Sequence, residues 1–456
     1  MITNERTPLE HPGVKREIGI GSATSIVVAN IIGAGIFTTS GIMAGMLPGP
    51  GWVLACWAVG GLIAITGSLC YAELATRMPE VGGEYVYLKK LYHPALGFLT
   101  GWTSFIVGFS VPIAASAIGF SEYLFAGLNG DRIALSPTQL LVVKKAFAIS
   151  IILVFTLLHY RGIKTGTRVQ NSLTVLKIII VLGLALAGLF LGGGNWENVL
   201  ASDNSDFRWP AIGTAMMLVM FAYSGWNASA YIAGELKNPR RALPFSLVAG
   251  TSAVIVLYMA VNLFVFRTLS FSEAQGVIAI VEKASLSAFG DWMGKGISIM
   301  ISLALLSSLS AFVIIGPRVY FAMARDKLFF PFARQVHPRF GVPGRSIVIQ
   351  GTIAIVMVLV GSFEQLLIYL GFALGIFPWL AVAGIFIARK RGIGDSSVVR
   401  VPGYPLVPLF FLTITLALMI VAYVNRPFES AAAIITVLAG VPCYLIWIKA
   451  TKSPTR

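Results

Sequence analysis

Charge is what this sequence has least of. Only 12% of its 456 residues are Asp, Glu, Lys or Arg, about half the share found in soluble domains, which excludes a chain whose surface lies mostly in water. Acidic residues are scarcer still, 19 against 34 Lys and Arg. The three cysteines, Cys56, Cys70 and Cys443, all fall in apolar stretches, so no extracellular disulfide framework is implied. No Walker-type glycine loop is present, which excludes ATP as the energy source. The absence of a His-Glu-x-x-His motif or paired aspartates counts against a metal-dependent membrane enzyme. His11, His93, His159 and His337 sit in loops or at the ends of apolar runs, where capping or interfacial roles are expected. No metal site and no cofactor are expected.

What fills the chain is hydrophobic, 57% by composition. A run of about 20 apolar residues crosses a ~30 Å hydrocarbon core. Twelve such runs occur, near 18–45, 52–76, 92–127, 137–159, 169–192, 210–233, 243–267, 289–323, 345–361, 363–388, 404–424 and 429–449. The expected fold class is therefore an all-α polytopic membrane protein with 12 transmembrane helices. The net charge of +15 forms no single patch, and a nucleic-acid partner is not implied. It follows alternate loops instead: Arg6, Lys15 and Arg16; Arg77, Lys89 and Lys90; Arg161, Lys164 and Arg168; Lys237, Arg240 and Arg241; the basic 318–345 segment; and Arg389, Lys390 and Arg391. By the positive-inside rule these loops and both termini are cytoplasmic. Lys144 and Lys145 fit poorly, near the outer end of the fourth run, and are expected to snorkel to the interface. The first run has no small-residue cleavage site and is expected to stay as an anchor. In the outer stretch 271–290, apolar Val277, Ile280, Val281 and Leu286 flank Glu282 and Lys283, a spacing expected of a surface helix. That helix either gates the outer mouth or simply connects two spans.

Two of the apolar runs are interrupted. "NIIGAGIF" (Asn30 to Phe37) places two glycines inside the first, where each costs about 1 kcal/mol relative to alanine in a helix. "FAYSGWNAS" interrupts the sixth with Ser224 and Gly225, followed by Trp226 and Asn227. Either alone fits close helix packing. Five spans apart, the pair points to an inverted repeat of two five-helix halves with a site at the bilayer midplane.

Unwound backbone in hydrocarbon needs partners for its N–H and C=O groups, and a zwitterionic amino acid supplies both kinds. N–H groups of Gly33, Ala34, Gly35 and Ile36, at the start of the outer half-helix, suit a carboxylate. Carbonyls of Val28, Ile31, Phe221, Ala222 and Ser224 suit an ammonium. Lys177, in "NSLTVLKIIIVLGLALAG", is the conspicuous charge inside a span. Either it is a fixed or proton-exchanging charge that bonds first-span carbonyls and eighth-span hydroxyls, with Ser307 and Ser308 as candidates, or it snorkels to the cytoplasmic surface. Glu73, Glu122, Glu235 and Glu364 lie near span ends, and no carboxylate is expected close to either interruption. Asn227 stands where one would be useful to a cationic ligand, so substrates of no net charge are expected.

"NIIGAGIF", "CYAELATRMPEVGGEYVYL", "FAYSGWNASAYIAGELKNPRRALP" and "GPRVYFAMARDKLFFPFARQVHPRFGVPGRSI" together resemble the amino acid–polyamine–organocation superfamily over nearly the whole chain. "RVQNSLTVLK" and "FAYSGWN" are most similar to its L-type amino acid transporter branch and bacterial relatives. The resemblance implies a leucine-transporter-like fold: an N-terminal segment 1–17, repeats over 18–192 and 210–388 with discontinuous helices one and six, and peripheral helices over 404–450. It implies alternating access, Phe221 as the aromatic that closes over substrate, Asn227 as the polar sixth-span residue, and Lys177 in place of a second sodium site. Ala34 replaces a serine common in the family, so the backbone donors alone would hold the carboxylate. Eukaryotic members bind a glycoprotein subunit through a cysteine after span three; "NGDRIALSPT" has none, so no disulfide-linked heavy subunit is expected.

The reading that results is a sodium-independent secondary transporter of neutral L-amino acids, an exchanger or proton-coupled, in a prokaryotic cell membrane. Its rivals are a cationic amino acid or polyamine permease of the same fold and, from another class, a non-transporting amino acid sensor.

Overall fold

The computed structural model describes Arg16 and residues 18–128, 136–161, 163–200, 209–340, 342–395 and 398–452. The loop motif "NGDRIALSPT" falls largely outside the described residues, as does most of the N-terminal segment. Among the described residues the chain is helical, with only two isolated β-bridges, Ile18 to Leu236 and Val81 to Ile232. In an apolar solvent this is the expected outcome, because a helix satisfies its backbone groups internally.

The first apolar run becomes α1 (Ile20–Ile31) and α2 (Gly35–Ala44), and the second becomes α3 (Pro50–Arg77). A short α4 (Glu84–Leu91) leads into α5 (Pro94–Thr103) and α6 (Ser110–Gly127). These last two are one apolar run, interrupted by a π-helical turn at Ser104–Gly108, where Phe109 N–H reaches back five residues to Ser104 O. Then come α7 (Pro137–Tyr160), α8 (Ile163–Phe190), α9 (Glu197–Leu200), α10 (Trp209–Ala222) and α11 (Ala228–Tyr231). The second half holds α12 (Pro239–Thr268), α13 (Phe271–Ala274), α14 (Ile280–Phe289), α15 (Asp291–Arg325), α16 (Gly344–Val360) and α17 (Phe363–Lys390). Two more, α18 (Leu406–Asn425) and α19 (Pro427–Lys452), follow.

Among the described residues, ten spans are long and apolar enough to cross a membrane, counting α1–α2 and α5–α6 as one each. α10 and α16 are apolar but shorter. The expected sixth span over 210–233 ends as a helix at Ala222, because Gly225 adopts φ +96°, a conformation that breaks the helical ladder. Helix starts follow local chemistry. Ser136 and Gln139 cap each other's backbone at the head of α7, as do Ser362 and Gln365 at α17, reciprocal pairs that satisfy two otherwise orphaned donors.

α15 runs along α6 and α8, while α12 lies against α3 and α1. These helices form the buried centre, whereas α7, α18 and α19 are largely exposed at the rim, as a lipid-facing surface requires. Stretch 271–290 is two short helices and not one. Ile280, Val281, Ala284 and Ser285 of α14 are buried, and Gly276 N–H bonds Gly41 O at 2.8 Å, fastening the segment to the end of α2. Lys144 does not snorkel alone: it pairs with Glu122 at 2.7 Å, one helix away on α6. Lys145 donates to Leu359 O at 3.1 Å.

One ion cluster fastens the end of α3 to the end of α17. The buried Glu73 carboxylate accepts from Arg77 (2.8 and 2.9 Å), from Arg389 (2.6 and 2.9 Å) and from Val401 N–H (2.8 Å). Arg389 also stacks on Tyr404, 3.6 Å from its ring centre. Truncating one member of a buried ionic cluster leaves the others uncompensated. Glu73→Ala is expected to lower unfolding free energy by about 3 kcal/mol, whereas Lys90→Gln, which breaks the half-exposed pair with Glu80, should change it by less than about 1 kcal/mol. Thermal unfolding of the detergent-purified protein checks both.

Candidate functional site

α1 stops at Ile31 because Ile32 turns extended (ψ 98°), and α2 restarts at Gly35 behind Ala34, whose side chain has no oxygen to cap it. α10 stops at Ala222, and residues 223–227 turn before α11. The two breaks touch. A Cβ on Gly35 would lie 2.5 Å from Ala222 Cβ and 2.6 Å from its Cα. A Cβ on Gly225 would lie 2.9 Å from the Asn30 carbonyl group. Each interruption therefore needs its glycine for the approach of the other's backbone.

A hydroxyl from α12 joins them. Tyr258 Oη lies 2.8 Å from Ile31 O and 3.1 Å from Ala222 O, so its single proton serves one carbonyl from each break. Packing fixes the ring, with Trp57 edge-on at 5.3 Å and Tyr223 at 5.2 Å. Trp57 is itself held by a 2.9 Å bond from Nε1 to Ser40 Oγ.

The ammonium of Lys177, on α8, satisfies the other side of the first break. It donates to Ala29 O (2.8 Å), Ile32 O (2.7 Å) and Ser308 Oγ (3.2 Å), and the residue is 1% exposed. All three ammonium protons are used, and the group does not reach a surface. Ser308 lies on α15 and donates in turn toward Ile32 O at 3.3 Å; Ser307 meets Thr174 at 3.1 Å. One cation thus ties α1, α8 and α15.

Carbonyls assigned to an ammonium hold internal bonds here: Ile31 and Ala222 face Tyr258, Val28 accepts from Ile32 N–H at 3.1 Å, and Phe221 accepts from Ser224 N–H at 2.9 Å. Ala34, Gly35 and Ile36 are buried, and the Phe221 ring packs over Gly35. N–H groups in the first turn of α2 have no intrahelical acceptor. On the other side of the breaks lies a cavity of about 190 Å³. Ser224 and Asn227 line it, with Asn30, Phe109, Phe312 and Tyr231, but Ile31, Gly33 to Ile36, Phe221 and Ala222 do not. Thr103, at the π-helical turn, also faces it, with a buried hydroxyl that has no partner.

Two touching helix breaks beside a mostly apolar cavity suit a small ligand with one or two polar ends. Residues 18–446 match the family described as amino acid permease. The chain belongs to that family. The permease is a multi-pass membrane transporter of amino acids and not an enzyme. It is 31% identical to the "Serine/threonine exchanger SteT" of Bacillus subtilis, over 95% of this chain and 97% of that one. It is 27% identical to the mouse "b(0,+)-type amino acid transporter 1", over 97% and 90% of the two chains. To the mouse "Asc-type amino acid transporter 1" it is 25% identical over 96% and 82%.

One expectation is overturned. A carboxylate does stand beside the second break of the permease: Glu84, the first residue of α4, accepts from Asn227 Nδ2 at 2.6 Å and from Tyr71 Oη at 2.7 Å, and lines the cavity. Sequence position placed it in a loop 143 residues from Asn227, and only the packing of α4 brings it in. Tyr258 was likewise invisible, one tyrosine in an apolar span; a polar tip midway along that span was the only signal. Tyr258→Phe keeps the ring and removes the shared donor, leaving two buried carbonyls short. Binding of a labelled amino acid is expected to weaken about tenfold, for a loss of roughly 1–2 kcal/mol, without a change in gel-filtration profile.

Proposed function

We propose that the permease is a sodium-independent secondary transporter of neutral L-amino acids, working as an exchanger or with protons by alternating access. Twelve spans, with 18–192 and 210–388 as inverted repeats and 404–450 peripheral, make the framework. The basic loops, including Lys89, Lys90, Lys237, Arg240 and Arg241, and both termini face the cytoplasm of a prokaryotic cell. No covalently attached subunit is needed.

The observation that carries this reading is the Lys177 ammonium on Ala29 O, Ile32 O and Ser308 Oγ. A fixed cation on carbonyls and a hydroxyl is a substitute for a sodium ion and repels one by charge. A substrate carboxylate would take N–H groups of the Gly33 to Ile36 turn, at the positive end of α2, with Gly33 N–H leaving the Tyr258 hydroxyl it now meets, and Ser224 and Asn227 would meet the rest of the molecule. The likeness to a serine/threonine exchanger supports small neutral substrates and exchange. Glu84 beside Asn227 favours a second reading, a cationic substrate, and competition by lysine decides between them.

Proteoliposomes are expected to take up labelled threonine or alanine equally well when choline replaces sodium, and faster when preloaded with a neutral amino acid. Dependence on sodium would overturn the reading. Lys177→Ala is expected to cut uptake roughly tenfold or more, because three acceptors lose their donor, while the protein still elutes as a single species; unchanged uptake would contradict it.

A further inference from the structure

Glu84 is the buried acid that the transport reading leaves without a task. It begins α4, outside the membrane-spanning helices, yet it is 6% exposed and reaches the cavity wall. Its carboxylate takes hydrogen bonds from Tyr71 on α3, from Asn227 at the second break and from Tyr231 on α11. Tyr87, one turn along α4, is buried nearby with a hydroxyl that has no partner. Among the described residues no Lys, Arg or His pairs with Glu84; Glu80 is held by Lys90, and Arg389 by Glu73.

An ionised carboxylate only accepts hydrogen bonds. The amide of Asn227 must therefore turn its NH₂ toward Glu84, and the 2.6 Å contact is a short, charge-assisted bond. The consequence falls on the other end of the amide. The amide NH₂ also meets the Tyr231 hydroxyl, whereas Oδ1 of Asn227 caps no helix and holds no hydrogen bond seen among the described residues, in a side chain that lines the cavity.

We propose that Glu84 is a positioning residue for substrate selection: it locks the Asn227 amide with Oδ1 presented as an acceptor, so that amino acids whose side chain carries a hydroxyl donor are preferred over apolar isosteres. The inference rests on the neutral-substrate reading. Thr103 lines the same cavity, and its buried hydroxyl has no partner. Protonating Glu84 removes the constraint, because a neutral carboxyl donates as well as accepts and tolerates either amide face. Burial pushes the Glu84 carboxyl up to about 7, against the lowering effect of its three donors. The groups facing it, Tyr71, Tyr87 and Tyr231, are phenols with an ordinary pKa of about 10 and stay neutral across that range.

Threonine and valine have the same shape and differ by hydroxyl against methyl, so their kcat/KM ratio in proteoliposomes reads the proposed acceptor directly. The unmodified protein is expected to favour threonine, and the ratio to fall by about fivefold or more in Glu84→Gln, with recovery in Glu84→Asp. In the unmodified protein the ratio should fall as pH drops from about 8 to about 6, and in Glu84→Gln it should be flat; this comparison within one protein needs no assumption about the variant's folding. A ratio that neither the substitution nor pH changes, with both substrates carried, would overturn the inference and leave the neutral-substrate reading standing. A preference for lysine over threonine that disappears in Glu84→Gln would overturn both, making Glu84 the counter-charge of the substrate itself.

Discussion

Everything at the centre of this protein depends on backbone that is not helical in a place where water cannot solvate it. Two breaks expose carbonyl and N–H groups at a cost of several kcal/mol each if unpaired, and the fold answers with two side chains from other helices. Tyr258 covers one carbonyl of each break, and Lys177 covers two carbonyls of the first. Both are long side chains with a polar tip, able to cross from α12 and α8 to the middle of the bundle. The first-turn N–H groups of α2 have no intrahelical acceptor, and Lys177 and Ser308, which bond carbonyls of the break, supply them with no partner of this kind.

The close approach of the breaks explains the remaining local choices. Gly35 against Ala222 and Gly225 against Asn30 leave no room for a Cβ, so the two interruptions pack directly on one another. Phe221 packs over Gly35, and neither residue lines the cavity.

Much of the architecture was legible along the chain because hydrocarbon imposes a length and a polarity on every span. The positions of the breaks were legible for the same reason: glycine pairs and a serine have no purpose in a lipid-facing helix. Lys177 stood out as a charge, but the choice between a surface and a buried ammonium needed its three acceptors, which come from α1 and α15. Other details rest on partners remote in sequence. Lys144 pairs with Glu122 across a helix boundary, and stretch 271–290 folds as two pieces because Gly276 bonds Gly41.

By itself the sequence determined that the chain lives in a bilayer, where it is interrupted, and which backbone groups those interruptions expose, because these follow from local composition and from the cost of unpaired amides in oil. Only the tertiary structure decided who satisfies those groups and what charge stands beside them. Glu84 shows the difference most plainly. In the chain it is an acid in a polar loop, far from any span centre; in the fold, α4 tucks under the second break and turns that same acid into the partner of Asn227. Hydrogen-bond partners are set by proximity in space, and proximity between residues 143 apart is a property of packing that no local pattern contains.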